Sequence, residues 1–242
     1  MVEKEKERYF KNFILELEKK NELQSKINQL KVEALQAQFN PHFIFNSLNS
    51  IQYLVMSNQT DEASKYIDKF SKLFRQILDA SRNEYITLEK ELEIYYFYVQ
   101  IEQERLHQQF ECIFDIQEDI LLDNIFIPPF LFQPFLENSI WHGLQPSLEK
   151  DKILYVKVYQ LDIQQIYIDI IDNGIGIENS KKHKNITMKH QSHGLSIIQD
   201  RIDAFNNSRS SKISLEIKSP YPDNSSTGTL IRICIQSNKT TV

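Results

Sequence analysis

KILYVKVYQL (152–161) and QIYIDIID (165–172), running directly into DNGIGI (172–177), decide the fold. Apolar and polar residues alternate with a period of two through both runs. That predicts two half-buried strands paired across a short turn. Outward from this pair, FECIFDI (110–116) also reads as a strand. PPFLFQPFLENSIWHGL (128–144) reads as a helix begun near its prolines. On the C-terminal side a helix is expected over 194–207, then strands KISLEIK (212–218) and TLIRICI (229–235). Strand, helix, strand, strand, loop, helix, strand, strand is the order of an α+β two-layer sandwich.

The first half has a different texture. All five glycines, Gly143, Gly174, Gly176, Gly194 and Gly228, lie beyond residue 142. The stretch before them is therefore expected to form long elements without special turns. Residues 35–57 carry Ile44, Leu48, Ile51 and Val55 at helical steps, with Pro41 expected to kink the interior. Asn58 to Asp61 reads as a turn and N-cap. A second helix to about Ala80 places Ile67, Phe70, Leu73, Phe74 and Ile77 on one face. Two such helices form a hairpin, and two hairpins bury both stripes as a four-helix bundle, so a homodimer is expected. Thr87 opens a third helix, 88–109. Residues 3–34 have an imperfect heptad rhythm, read either as a solvated single helix or as a coiled-coil helix feeding the hairpin.

The net charge of −5 and the lack of a basic block give direct nucleic-acid binding no electrostatic support. Cys112 and Cys234 form no CxxC pair, and no histidine spacing reads as a zinc site. They are read as reduced thiols in a reducing cytoplasm. No apolar run reaches the roughly 20 residues that span a bilayer. The chain opens in a charged, helix-favouring stretch without a cap, so a membrane link is expected only through a missing upstream segment.

Four segments carry chemistry. In LENSIWHG (136–143), Asn138 and His142 stand four apart, on one helix face, beside Glu137. An amide oxygen suits Mg²⁺, and a nearby carboxylate can order its water. In DNGIGI, Asp172 is a fixed acceptor at a strand end, and Gly174 and Gly176 allow close backbone approach to a flat ligand. HGLSIIQDRI (193–202) opens a helix with Gly194, whose first amides can hold phosphate. TGTLIRI (227–233) turns into a strand.

In this order the four segments resemble the N, G1 and G2 boxes and final strand of the GHKL (Bergerat) ATP-binding fold. The preceding LQAQFNPHFIFNSLNSI (35–51) resembles the phosphoacceptor segment of LytS/YehU-type sensor histidine kinases, and TLEKELEIYYFYVQIEQERL (87–106) the helix after it. The resemblance covers residues 35–235. It implies that His42 accepts phosphate and that Asn138 ligates Mg²⁺, with Glu137 in the metal–water shell. It places Asp172 on the adenine amino group, Gly174 and Gly176 in the base pocket, Gly194 and His142 toward the phosphates, and Thr229 at the adenine end. It implies ATP and Mg²⁺ as cofactors and a response regulator, of the LytTR type, as partner. It implies the cytoplasmic part of an inner-membrane sensor. The residues agree at His42: a mostly neutral imidazole offers a lone pair. Asn46, one turn on, can orient the ring or the phosphoryl group.

Three positions depart from the family pattern. Ser192 replaces a glycine, Ile197 an asparagine, and Trp141 a lysine. They motivate a competing reading, a non-catalytic dimeric nucleotide-binding signalling module. The polar stretch 181–194, with Lys181, Lys182, Lys184, His183, His190 and His193, is read as a mobile lid. The expected division is a signalling helix (1–34), dimerisation and phosphotransfer helices (35–109) and an ATP-binding domain (110–242).

Overall fold

The computed structural model describes residue 14 and residues 41–162, 164–176, 188–220 and 227–236; for 41–42 and 188–195 only the backbone is described. The coiled-coil expectation falls outside the described residues apart from residue 14, and so does the lid expectation over 181–187; its remainder, 188–194, is helix. The chain divides into two units, residues 1–63 and 64–242.

In the first unit α1 runs over Pro41–Met56, with Phe45, Leu48, Tyr53, Val55 and Met56 exposed on the single chain. Asn58, at φ 57°, takes the left-handed turn after it, and its amide bonds to the Val55 carbonyl at 3.1 Å. α2, Thr60–Ser81, begins here with Asp61 and Glu62 in its first turn, where carboxylates suit the helix dipole.

In the second unit α2 continues to Ser81. Its expected single stripe splits: Leu73, Ile77 and Ala80 are buried, whereas Ile67 and Phe74 face outward. Lys72 lies over the Phe97 ring at 4.2 Å, and Lys69 pairs with Glu104. β1 (Ile86–Thr87) pairs antiparallel with β3 (Phe126–Ile127). α3 spans Leu88–Arg105, capped by Thr87 Oγ1, which accepts the Lys90 amide at 3.2 Å. It ends four residues short of expectation. His107 and Gln108 take left-handed backbone, φ 51° and 55°, and turn the chain without a glycine to announce it.

The main sheet has the order β2-β4-β5-β7-β6. β2 (Glu111–Ile116) runs parallel to β4 (Ile153–Asp162); β5 (Gln165–Asp172), β7 (Thr229–Gln236) and β6 (Lys212–Lys218) follow antiparallel. The period-two reading holds: Leu154, Val156, Val158, Ile168, Ile170, Ile231, Ile233 and Ile235 are buried. Register puts all of them on one face, against which α3 sets Tyr96 on Phe114, ring centroids 5.5 Å apart. Ile198, Ile202 and Phe205 of α5 (Met188–Ser208) are buried too. The architecture is α+β, helices over one face of a mixed sheet. The other face carries a polar cluster, in which Arg232 grips Asp169 through two bonds of 2.8 and 2.7 Å.

Two helices depart from expectation. Residues 128–132 are a buried loop, not helix. α4 is only Gln133–Glu137, and Asn138–Leu144 widens into a π-helical turn. α5 begins by Met188, so Gly194 does not open it; its amide is not among the orphan donors of a first turn. Among the described residues no helix is long and apolar enough to cross a membrane.

Candidate functional site

Asp172 is where the segments of the second half converge. It ends β5 on the buried face, continuing the row of Ile168 and Ile170, and is 1% exposed. Its Oδ2 accepts the Ser139 hydroxyl at 2.9 Å and its Oδ1 the Gly174 amide at 3.0 Å. Thr229, its register partner on β7, adds side-chain and backbone donors. Burial pushes the carboxyl up to about 6, with the Ser139, Gly174 and Thr229 donors pulling back. A carboxylate poised near neutrality inside a ring of donors is a site candidate on physical grounds.

The glycines explain how three chain segments reach one carboxylate. A Cβ on Gly174 would lie 2.2 Å from the Gly143 carbonyl carbon, and one on Gly143 would lie 2.8 Å from Asp172 Oδ1. Gly176 (φ 77°) and Gly228 (φ 147°) lie against each other in backbone that L side chains resist. The contacts these glycines make are therefore chain on chain. The role expected from sequence for Gly174 and Gly176 is close approach to a ligand.

The π-helical turn completes the join. Its i→i+5 bond runs from the Gln145 amide to the Ile140 carbonyl at 2.9 Å, and the Gly143 carbonyl accepts the Ile175 amide at 3.1 Å. Such turns recur at functional sites because they re-aim backbone groups. Glu137 and Asn138 stand at its start, half-buried, and the Glu137 carboxylate accepts Gln133 Nε2 at 2.8 Å. His142 is half-buried on the same turn. Asn173 pins the neighbouring strand: its Oδ1 accepts the Ile153 amide at 2.7 Å, and its Nδ2 donates to the Asp151 carbonyl at 2.6 Å.

Of the residues expected from sequence, Asp172, Gly174, Gly176 and Thr229 come together, with the turn carrying Glu137, Asn138 and His142 joined to them through Gly143. Gly194 lies in the backbone of α5, and His42 in α1, in the other unit. Asn46 lies one turn on in α1, its carbonyl accepting the Ser50 hydroxyl at 3.0 Å. Sequence reasoning missed Ser139. Its place between buried Leu136 and Ile140 was the available signal, since a buried hydroxyl must find a partner. Trp141, a departure from the family pattern, hydrogen-bonds Tyr98 and lies under Arg105 at 4.1 Å.

The donor set fits the groups expected there. An ionised carboxylate has about four acceptor sites, and Ser139, Gly174 and Thr229 already draw on those of Asp172, so an adenine amine would share this ring of donors. Asn138 and Glu137 supply one amide and one carboxylate, enough for Mg²⁺, which keeps waters and phosphate oxygens as its other ligands.

Comparison with known proteins gives independent findings. Residues 30–110 match the histidine kinase family. The chain is 37% identical over 161 residues to the sensor protein LytS of Staphylococcus haemolyticus, covering 66% of this chain and 27% of that protein. It is 34% identical over 164 residues to the sensor histidine kinase YpdA of Escherichia coli, covering 68% and 28%. It is 35% identical over 163 residues to the sensor histidine kinase/phosphatase LytS of Staphylococcus aureus, covering 67% and 27%. The chain thus spans about a quarter of the length of the curated relatives it matches. Among solved structures, the mycobacterial sensor histidine kinase MprB aligns over 63% of this chain and 96% of its own, at 16% identity and a TM-score of 0.44.

Proposed function

We propose that this chain, which belongs to the LytS-type sensor histidine kinases, transfers the γ-phosphoryl group of ATP to its own His42 and then to an aspartate of a response regulator. One observation carries the reading. A family-matched segment holding Asn40-Pro41-His42 precedes a glycine-ringed buried carboxylate, Asp172, whose Ser139 donor sits beside Asn138.

In this reading Asp172 accepts the adenine amino group and Thr229 supports that end. Gly174 and Gly176 border the base, and Gly194 and His142 lie toward the phosphates. Asn138 and Glu137 would hold Mg²⁺, which when bound would neutralise charge on the phosphates. A neutral His42 uses its ring lone pair to form the N–P bond as the bond to the ADP oxygen breaks; the ring proton is then lost to solvent. Asn46 orients the imidazole. The protein's task is chiefly positioning and charge neutralisation. The exposed apolar residues of α1 pair in a homodimer, and the functional division follows residues 1–34, 35–109 and 110–242. The regulator is of the LytTR type, and the chain works on the cytoplasmic side of a membrane sensor.

The test is incubation with γ-labelled ATP and Mg²⁺. Acid-labile, base-stable label, absent in His42→Ala, is the expected result. Measurable ATP binding without label would instead favour the non-catalytic signalling module.

A further inference from the structure

α3 carries a carboxylate that the proposed nucleotide chemistry does not use. Glu91 is 0% exposed. Its Oε2 accepts the Phe130 amide at 3.0 Å and its Oε1 the Phe132 amide at 3.2 Å, with the Leu131 amide contributing as well. Three successive amides can turn toward one anion because Phe130 takes left-handed backbone, φ 61°, unusual for an aromatic residue. From α5, Arg201 Nη1 donates to the Pro129 carbonyl at 3.1 Å. The loop is thus gripped by its amides from one helix and by a carbonyl from another.

This loop sets the start of α4. Phe132 is the N-cap of α4, and its carbonyl accepts the Phe135 and Leu136 amides, each at 3.1 Å. Gln133 follows and holds Glu137 at 2.8 Å. Further along α3, Tyr95 packs on Phe132 with ring centroids 6.0 Å apart and feels the charge of both Glu91 and Glu137. Tyr98 bonds Trp141, and Arg105, paired with buried Glu102 at 2.6 Å, covers the same indole. Successive turns of α3 therefore meet the segment from Phe132 to Trp141.

We infer that Glu91 is a positioning residue for phosphoryl transfer: by fixing the N-cap of α4 it sets where Glu137 and Asn138 stand. This rests on the site reading given above. An apolar side chain would fill the space without the cost of burying a charge. What the carboxylate adds is a loop held in one strained conformation, and with it the direction of the segment that bears the metal-binding residues.

Trp141 is the only tryptophan in the chain and sits one turn from Asn138, so its fluorescence reads the placement of this segment without nucleotide. The experiment compares wild type, Glu91→Gln, Glu91→Asp and Arg201→Lys in the full chain, at matched folded fraction. Glu91→Gln is expected to shift Trp141 emission and to lower the labelling rate at saturating Mg-ATP by about tenfold to a hundredfold, as misplacement of about 1 Å does. Mg²⁺-free ATP affinity, set at Asp172, should change by less than about threefold, giving a rate effect without a binding effect. Glu91→Asp, which keeps the acceptor, should restore part of the rate, and Arg201→Lys should shift emission in the same way if Glu91→Gln fails to fold. Unchanged emission and saturating rate overturn the inference. So does a rate that falls only in step with ATP affinity. If wild type neither binds ATP nor labels while Glu91→Gln still moves Trp141, the site reading fails and the positioning geometry stands.

Discussion

Asp172 and Glu91 are both buried carboxylates of the larger unit, and their surroundings differ in kind. Asp172 ends the central strand β5 and is ringed by Gly143, Gly174 and Thr229, with a hydroxyl from Ser139. Glu91 stands in the first turn of α3 among Phe130, Leu131, Phe132 and Tyr95 and is held mainly by backbone amides. Burial is the first cause of the raised pKa in both, to about 6 for Asp172 and about 7 for Glu91. The difference teaches that burial alone does not mark a ligand site. Small neighbours and a side-chain donor distinguish the carboxylate assigned to nucleotide from the one assigned to scaffold.

The largest expected effect breaks one side of the comparison only. Gly174→Ala places a methyl 2.2 Å from the Gly143 backbone, which cannot rotate away. It should cost about 3 kcal/mol or more, seen in thermal melts, because overpacking against backbone forces the chain to shift. ATP binding should go with it, and Trp141 emission should move too because Gly143 and Trp141 share one π-helical turn, while the Glu91 clasp on residues 130–132 is not touched.

The pH dependence sharpens the contrast. The folded state holds the Glu91 proton more tightly than an unfolded chain does. Its contribution is fully present below about pH 4.5 and is lost as pH rises through about 7. Asp172 does the same between about 3.8 and about 6. Each shift amounts to about 3 kcal/mol at about 1.4 kcal/mol per unit. Denaturant unfolding across this range should show stability falling, and the fall between about 6 and 7 should be absent in Glu91→Gln. ATP affinity should run the other way, rising as pH climbs through about 6, because the adenine amine needs an ionised Asp172.

Asp172→Asn is next. Losing a charge-assisted acceptor and adding a donor against the Gly174 amide should weaken ATP by about tenfold to a hundredfold, measured by calorimetry. The smallest effect is a third carboxylate for reference. Glu216 pairs with Lys218 at 3.1 Å, both exposed, so Lys218→Ala should leave stability within about 0.5 kcal/mol and ATP binding unchanged.

Much of this was legible in the sequence. The period-two runs gave β4 and β5 to within a residue, and KISLEIK gave β6 at its observed bounds. Asp172, Gly174 and Gly176 stood out only through the ordered set of four segments, because a strand end followed by DNG reads by itself as an ordinary turn. Glu91 was not legible: one glutamate among several in a helix looks solvated until a distant loop supplies its amides. The π-helical turn was hidden for a similar reason, since within it Gly143 meets Gly174 from a distant part of the chain, a contact that local propensity does not show. The left-handed pair His107–Gln108 lacks glycine, so the end of α3 carried no mark either.

The most direct test localises the phosphate. The chain is incubated with Mg-ATP, quenched at alkaline pH, digested, and its peptides are sequenced by mass spectrometry. Phosphate on the peptide bearing His42, lowered by about tenfold to a hundredfold after Asp172→Asn at the same sub-saturating ATP concentration, is the expected result. Phosphate on a different residue, or an unmodified His42 in a chain that demonstrably binds ATP, would contradict it.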